Sequence, residues 1–197
     1  MSPQNAGDFR YDANIKSTHI QRKRLIINTP ITASTQMIKG LHHAAYRCRD
    51  SEETRAFYED FLGLPFAGAL EINITKSGRE TRVLHTFFQM GDGSFLAFFD
   101  DPDTPFDFKE QRDFDLHIAV AVDRVHLEPM MAKGESAGIP TRGISDHGFI
   151  DSIYFRDPNG YVVELTAPRI GKENNVGDEG DPRAILAKWS SHKKANP

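Results

Sequence analysis

Three side chains able to do chemistry sit in one short stretch, residues 146–164: His147, Tyr154 seven residues later, and Glu164 ten residues after that. Imidazole, phenol and carboxylate are groups that hold divalent metals and move protons near neutral pH. At the centre of the stretch, Asp157-Pro158-Asn159-Gly160 reads as a turn, because Pro presets one dihedral and Gly tolerates positive φ. Strand-like runs flank it, 150–156 and 161–166. Glu164 stands among Val162, Val163 and Leu165. Burying a carboxylate there is costly unless it is paired or bound to a metal.

These groups must be positioned by regular elements. Residues 38–49 alternate loosely and read as a strand carrying His42 and His43. Asp50 is an N-cap candidate, with Glu53 completing a capping box for a helix over 51–62 that places Phe57 and Phe61 on one face. Gly63 supplies its stop. Strands follow at 66–75, 80–90 and 95–100, joined by Ser77-Gly78 and Gly91-Asp92-Gly93. After a polar linker, 101–113, in which Phe106 and Phe108 are expected to pack, the pattern restarts. It gives a strand at 115–122, an Asp123 cap, a helix at 127–137 with Pro129 in its first turn, a short strand near Thr141, and the two strands already named. Residues 1–36 read as an arm in which 24–27 can add a short strand. The tail, 169–197, turns Gly-, Asp- and Asn-rich and then offers a short helix at 184–192 anchored by Trp189.

An internal repeat organises residues 37–168. GLHHAAYRCRD at 40–50 matches DLHIAVAVDR at 115–124, and DGSFLAFFDDP at 92–102 matches NGYVVELTAP at 159–168. The expected fold is α+β: two tandem βαβββ modules, 37–100 and 114–168, forming a curved, cup-shaped mixed sheet around a metal site. His43 aligns with His117, and Ala97 with Glu164. Period-two alternation puts His43, Ala45 and Arg47 on one face, with His117 and Ala119, and Val162, Glu164 and Thr166, similarly grouped. If the modules share one curved sheet, His43, His117 and Glu164 converge. Two imidazoles and a carboxylate with open positions form a facial triad suited to Fe(II), or alternatively Mn(II).

The bulk numbers narrow the class. The chain has 197 residues, 39% apolar and 26% charged, with net charge −4. That suits a globular protein with polar tails, and nothing in it points to a nucleic-acid or membrane partner. The single cysteine, Cys48, excludes an intrachain disulfide and reads as structural. With no apolar run long enough to span a bilayer and no hydrophobic signal core at the N-terminus, the expected location is cytoplasmic.

Over about residues 38–168 the chain resembles the vicinal oxygen chelate superfamily, which includes glyoxalases, fosfomycin and bleomycin resistance proteins, and extradiol dioxygenases. The resemblance places metal ligands on the first strand of each module and the last strand of the second, here His43, His117 and Glu164. His43 is preferred to His42 because it aligns with His117 and precedes Asp50 by seven residues. The stretch His147, Ile153, Tyr154, Asp157, Pro158, Gly160, Glu164 is similar to the extradiol dioxygenase signature, although Ser145 departs from its first position. By this resemblance His147 and Tyr154 bond a substrate hydroxyl and assist proton transfer. The acid–base histidine usual near Ser94 is missing, and His85 is its candidate replacement. The resemblance implies a homodimeric Fe(II)-dependent dioxygenase that cleaves a catecholic small molecule with O2. The alternatives are a glyoxalase-like isomerase or lyase, disfavoured by Ala97 where a further carboxylate belongs, and a three-ligand resistance protein or transferase or a metal-free sequestering module.

Overall fold

The computed structural model describes residues 37–110, 112–172 and 180–195. The expected arm, 1–36, lies outside them, as does part of the tail. From Gly40 onward the described chain belongs to one compact unit.

Each module runs strand, helix, then three strands. The first comprises β1 (His43–Cys48), α1 (Ser51–Arg55) with a wider-wound continuation Ala56–Phe61, β2 (Phe66–Ile74), β3 (Glu80–Gln89) and β4 (Phe95–Asp100). The second comprises β5 (His117–Ala121), α2 (Leu127–Ser136), β6 (Thr141–Asp146), β7 (Ile150–Arg156) and β8 (Val162–Pro168). A last helix, α3, spans Pro182–Ala195. No helix among the described residues is long and apolar enough to cross a membrane.

The hydrogen-bonded order is β1-β4-β3-β2 in one sheet and β5-β8-β7-β6 in the other. In each, the first strand pairs parallel with the last, and the remaining neighbours are antiparallel. The single curved sheet expected from the sequence is therefore two four-stranded sheets. β1 and β5 are both edge strands, and among the described residues neither pairs with the other.

Local chemistry explains most boundaries. The Asp50 carboxylate accepts the Glu53 N–H at 2.8 Å, capping α1. The reciprocal half of the capping box does not form, because Glu53 turns to Arg49 in an i, i+4 ion pair. β1 starts at His43, later than expected, since its partner β4 begins only at Phe95. Asp123 makes no side-chain cap, and a single 3-10 turn, Arg124–His126, intervenes before α2. Trp189 is no anchor: it is 59% exposed, as Ile185 and Leu186 largely are. Three apolar residues among Arg183, Lys188, Lys193 and Lys194 make too narrow a stripe to dock α3. Phe108 is also exposed.

One face of each sheet builds the shared core. Phe57, Tyr58, Phe61, Phe88 and Phe98 of the first module cluster with Leu127, Phe155, Val163 and Leu165 of the second. The Phe61 and Phe155 rings meet edge-on, with centroids 5.2 Å apart. The Asp157–Gly160 turn fastens the modules. Asp157 accepts from the Asn159 and Tyr161 amides, the Asn159 side chain and the Tyr58 hydroxyl. Burial pushes the Asp157 carboxyl upward despite these donors. Asn159, fully buried, accepts the Arg49 N–H at 2.8 Å and donates to Thr54. The turn seen in the sequence is thus also an inter-module clasp.

Candidate metal centre

The other face of each sheet carries the polar groups. On β5, His117 sits opposite Val162, and Ala119 opposite Glu164. Tyr154 on β7 is paired with Glu164 from the other side. Strand alternation then aims His117, Glu164 and Tyr154 to one side, while Ile118, Val163 and Phe155 enter the core.

Together with His147 these three polar side chains form a continuous chain of close polar contacts. His147 Nε2 lies 2.8 Å from the Tyr154 hydroxyl. That hydroxyl donates to Glu164 Oε1 at 3.1 Å. Glu164 Oε2 is 3.2 Å from His117 Nε2. The opposite nitrogen, His117 Nδ1, is 2.7 Å from the Asp113 carbonyl, so it carries the proton. The Nε2 lone pair then faces a carboxylate only 5% exposed. A proton on that nitrogen, or a metal ion in its place, bridges such a contact. The donor set, an imidazole nitrogen and a carboxylate oxygen, is one that fits a divalent metal. Burial first, and then the neighbouring Glu164 carboxylate, raises the Tyr154 hydroxyl's pKa and keeps it a proton donor.

Two residues that the sequence reading passed over complete this side. Arg142 lies over the Tyr154 ring, 4.1 Å from its centroid, and pairs with the Asp113 carboxylate. Asp113, assigned to the linker, therefore holds Arg142 with its side chain and His117 with its carbonyl. The sheet register, Arg142 opposite Tyr154, reveals this placement, and no motif in the sequence signals it.

His43 and His85 lie elsewhere, on the first module. Their ring centroids are 6.2 Å apart, and both approach Phe87. His85 is buried, stacks on Phe99 at 3.8 Å, and has Nδ1 3.0 Å from the Phe98 carbonyl. His43 Nδ1 is 2.8 Å from Nδ1 of His42. Among the described residues no three metal-binding side chains come together in one chain. The expected convergence of His43 with His117 and Glu164 is thus absent within a chain, because the modules pack through their opposite faces. For the same reason His85 does not join His147 and Tyr154. A cavity of about 500 Å³ between the modules, lined by Leu62, Met90, Val122 and Met130 among others, includes none of these groups. Cys48 is buried, its thiol pushed up to about 11 chiefly by burial, in keeping with a structural role.

Comparison with known proteins supports this architecture. A family profile described as the Glyoxalase/Bleomycin resistance protein/Dioxygenase superfamily matches residues 40–165. Metallothiol transferase FosB from Shouchella clausii is 28% identical over 133 residues, which cover 66% of this chain and 80% of that protein. The solved fosfomycin resistance protein FosX from Listeria monocytogenes, complexed with Mn(II) and sulfate, superposes with a TM-score of 0.52 at 19% identity. The match covers 71% of this chain and all of that one. A glyoxylase/bleomycin resistance protein/dioxygenase domain from Frankia sp. gives 0.54 at 18% identity, covering 67% and 99%. The two structural matches concern fold alone.

Proposed function

This chain belongs to the Glyoxalase/Bleomycin resistance protein/Dioxygenase superfamily, and on that premise we propose that it is a divalent-metal enzyme of the extradiol dioxygenase type, acting on a catecholic small molecule with O2. The observation that supports the reading is the continuous His147–Tyr154–Glu164–His117 chain, in which an imidazole–phenol pair adjoins a buried carboxylate.

In this reading His117 and Glu164 hold the metal, and His43 of a second copy completes the triad. Both polar faces are free to meet such a copy, since His43, Ala45, His117 and Ala119 are all exposed in one chain. The enzyme is accordingly a homodimer whose first module delivers Phe87, Phe95, Phe99 and His85 along with His43. That wall suits an aromatic ring. When bound, Fe(II) or Mn(II) would supply Lewis acidity and a route for electrons from substrate to O2. Tyr154 hydrogen-bonds a substrate hydroxyl and accepts its proton while passing its own to His147 Nε2, and the transfer reverses when the proton is returned. Arg142 holds the Tyr154 ring in place. His85, its Nδ1 engaged by a carbonyl, presents Nε2 as a further acceptor from the second copy.

Anaerobic loading with Fe(II), followed by a panel of catechols and oxygen, tests this directly. Stoichiometric oxygen uptake with a coloured ring-opened product is expected. No uptake across the panel overturns the dioxygenase assignment.

One observation favours a second reading: the 28% identity to a metallothiol transferase across most of that protein. The same metal ligands would then serve transfer of a thiol to a resistance substrate such as fosfomycin. Consumption of fosfomycin with Mn(II) and a thiol, without oxygen uptake on catechols, would decide for it.

A further inference from the structure

A histidine binds a metal through one ring nitrogen only when the other carries the proton, so each ligand histidine needs an acceptor behind it. His117 has the Asp113 carbonyl, at 2.7 Å from Nδ1. A carbonyl has no proton to give, so it fixes the tautomer outright. His43 is differently served. Its Nδ1 lies 2.8 Å from Nδ1 of the preceding residue, His42. Two ring nitrogens at that distance share one proton, one donating and the other accepting.

We propose that His42 is a positioning residue: it accepts the Nδ1–H of His43 and so holds the His43 Nε2 lone pair ready for the metal. The proposal rests on the reading of His43 as a ligand. Strand alternation would send two successive side chains to opposite faces. His42, however, lies just outside β1, whose first residue is His43, and so escapes that constraint. Its backbone is nevertheless fixed, since its carbonyl accepts the Phe95 N–H at 3.0 Å. Its ring stands 6.2 Å from the Phe95 ring and is T-shaped to His43. The doubled histidine of GLHHAAY is thereby given two distinct roles. The first orients and the second coordinates.

Nitrogen-15 NMR of the metal-free full chain, read at neutral pH, tests the proposal without relying on metal. Wild type and His42→Asn, whose amide oxygen is an acceptor, are expected to show His43 protonated at Nδ1. His42→Ala is expected to shift His43 toward the Nε2–H form. An unchanged tautomer in His42→Ala overturns the proposal. Mn(II) titration, with circular dichroism as a check on folding, tests the underlying reading separately. His43→Ala should weaken binding more than His42→Ala, for which a loss of about 10- to 100-fold is expected. His42→Asn should recover to within about threefold of wild type, the same acceptor argument setting that size. If His43→Ala binds as wild type does, the ligand reading fails. If His42→Ala loses as much as His43→Ala and Asn does not rescue, His42 is itself a ligand and the positioning role is wrong.

Discussion

The polar faces of the two modules are laid on the same register and filled with different chemistry. His43 pairs with Phe95 as His117 pairs with Val162, and Ala45 with Ala97 as Ala119 pairs with Glu164. Across the next strand, Phe87 faces Ala97 where Tyr154 faces Glu164, and His85 faces Phe99 where Ser152 faces Thr166. The first module has kept a histidine and become an aromatic wall. The second carries a histidine together with a carboxylate, a phenol and, in the loop after β6, His147. A duplicated scaffold can therefore carry an aromatic face and a charged face on one strand register.

The comparison is broken most severely by moving the carboxylate. Glu164→Ala is expected to abolish measurable metal affinity and to lower turnover by at least about 10³-fold. Ala97→Glu, its mirror, should not create a second site. It buries a charge beside Phe87, with no hydroxyl to pair it, and is expected to cost about 3 kcal/mol in chemical denaturation. Adding Phe87→Tyr should return part of that loss.

Next in size is the phenol. Tyr154→Phe removes the link between His147 and Glu164. A fall in kcat of about 10²-fold is expected with metal affinity nearly intact, because only proton transfer is lost. Phe87→Tyr alone should leave kcat within about twofold of wild type, since it adds no acid–base partner.

A smaller contrast lies at the hairpin turns. Gly93 and Gly160 align and both adopt positive φ, 86° and 92°. A Cβ at Gly93 meets open space, whereas one at Gly160 would stand 2.5 Å from the Lys109 backbone. Gly160→Ala should destabilise by about 3 kcal/mol and Gly93→Ala by about 1 kcal/mol, measured by urea unfolding.

The smallest effect concerns Cys48, which ends β1 where Val122 follows β5. Its thiol pKa is raised from 9.0 to about 11. Folding thus favours the protonated thiol. The stability this contributes is complete below pH 9 and is lost as pH rises through 11. Cys48→Val should flatten that alkaline decline, and the native thiol should resist alkylation at pH 8 until the chain unfolds.

Much of this was legible along the chain. The repeat, the α+β class, the turn at Asp157–Gly160 and the alternation around Glu164 follow from local rules: period-two patterning, caps and turn residues. The motif resemblance singled out His147 and Tyr154 as residues for a substrate hydroxyl, and the direct contact between them, 2.8 Å, is visible only in the structure. Less legible were Asp113 and Arg142, whose contribution is a carbonyl and a cross-strand position, neither of which residue type encodes. Trp189 was misread because an apolar residue in a helix implies burial only when a partner surface exists.

The sequence alone determined which residue types stand on which face of each strand, because side-chain alternation is a property of the local backbone. Only the tertiary structure decided which faces the two modules turn toward each other. Their large aromatic residues, Phe61, Phe88, Phe98 and Phe155, bury most surface by packing on the helix-bearing side. That choice separates His43 and His85 from His117, Glu164, Tyr154 and His147, and leaves the edge-strand residues His43, Ala45, His117 and Ala119 exposed.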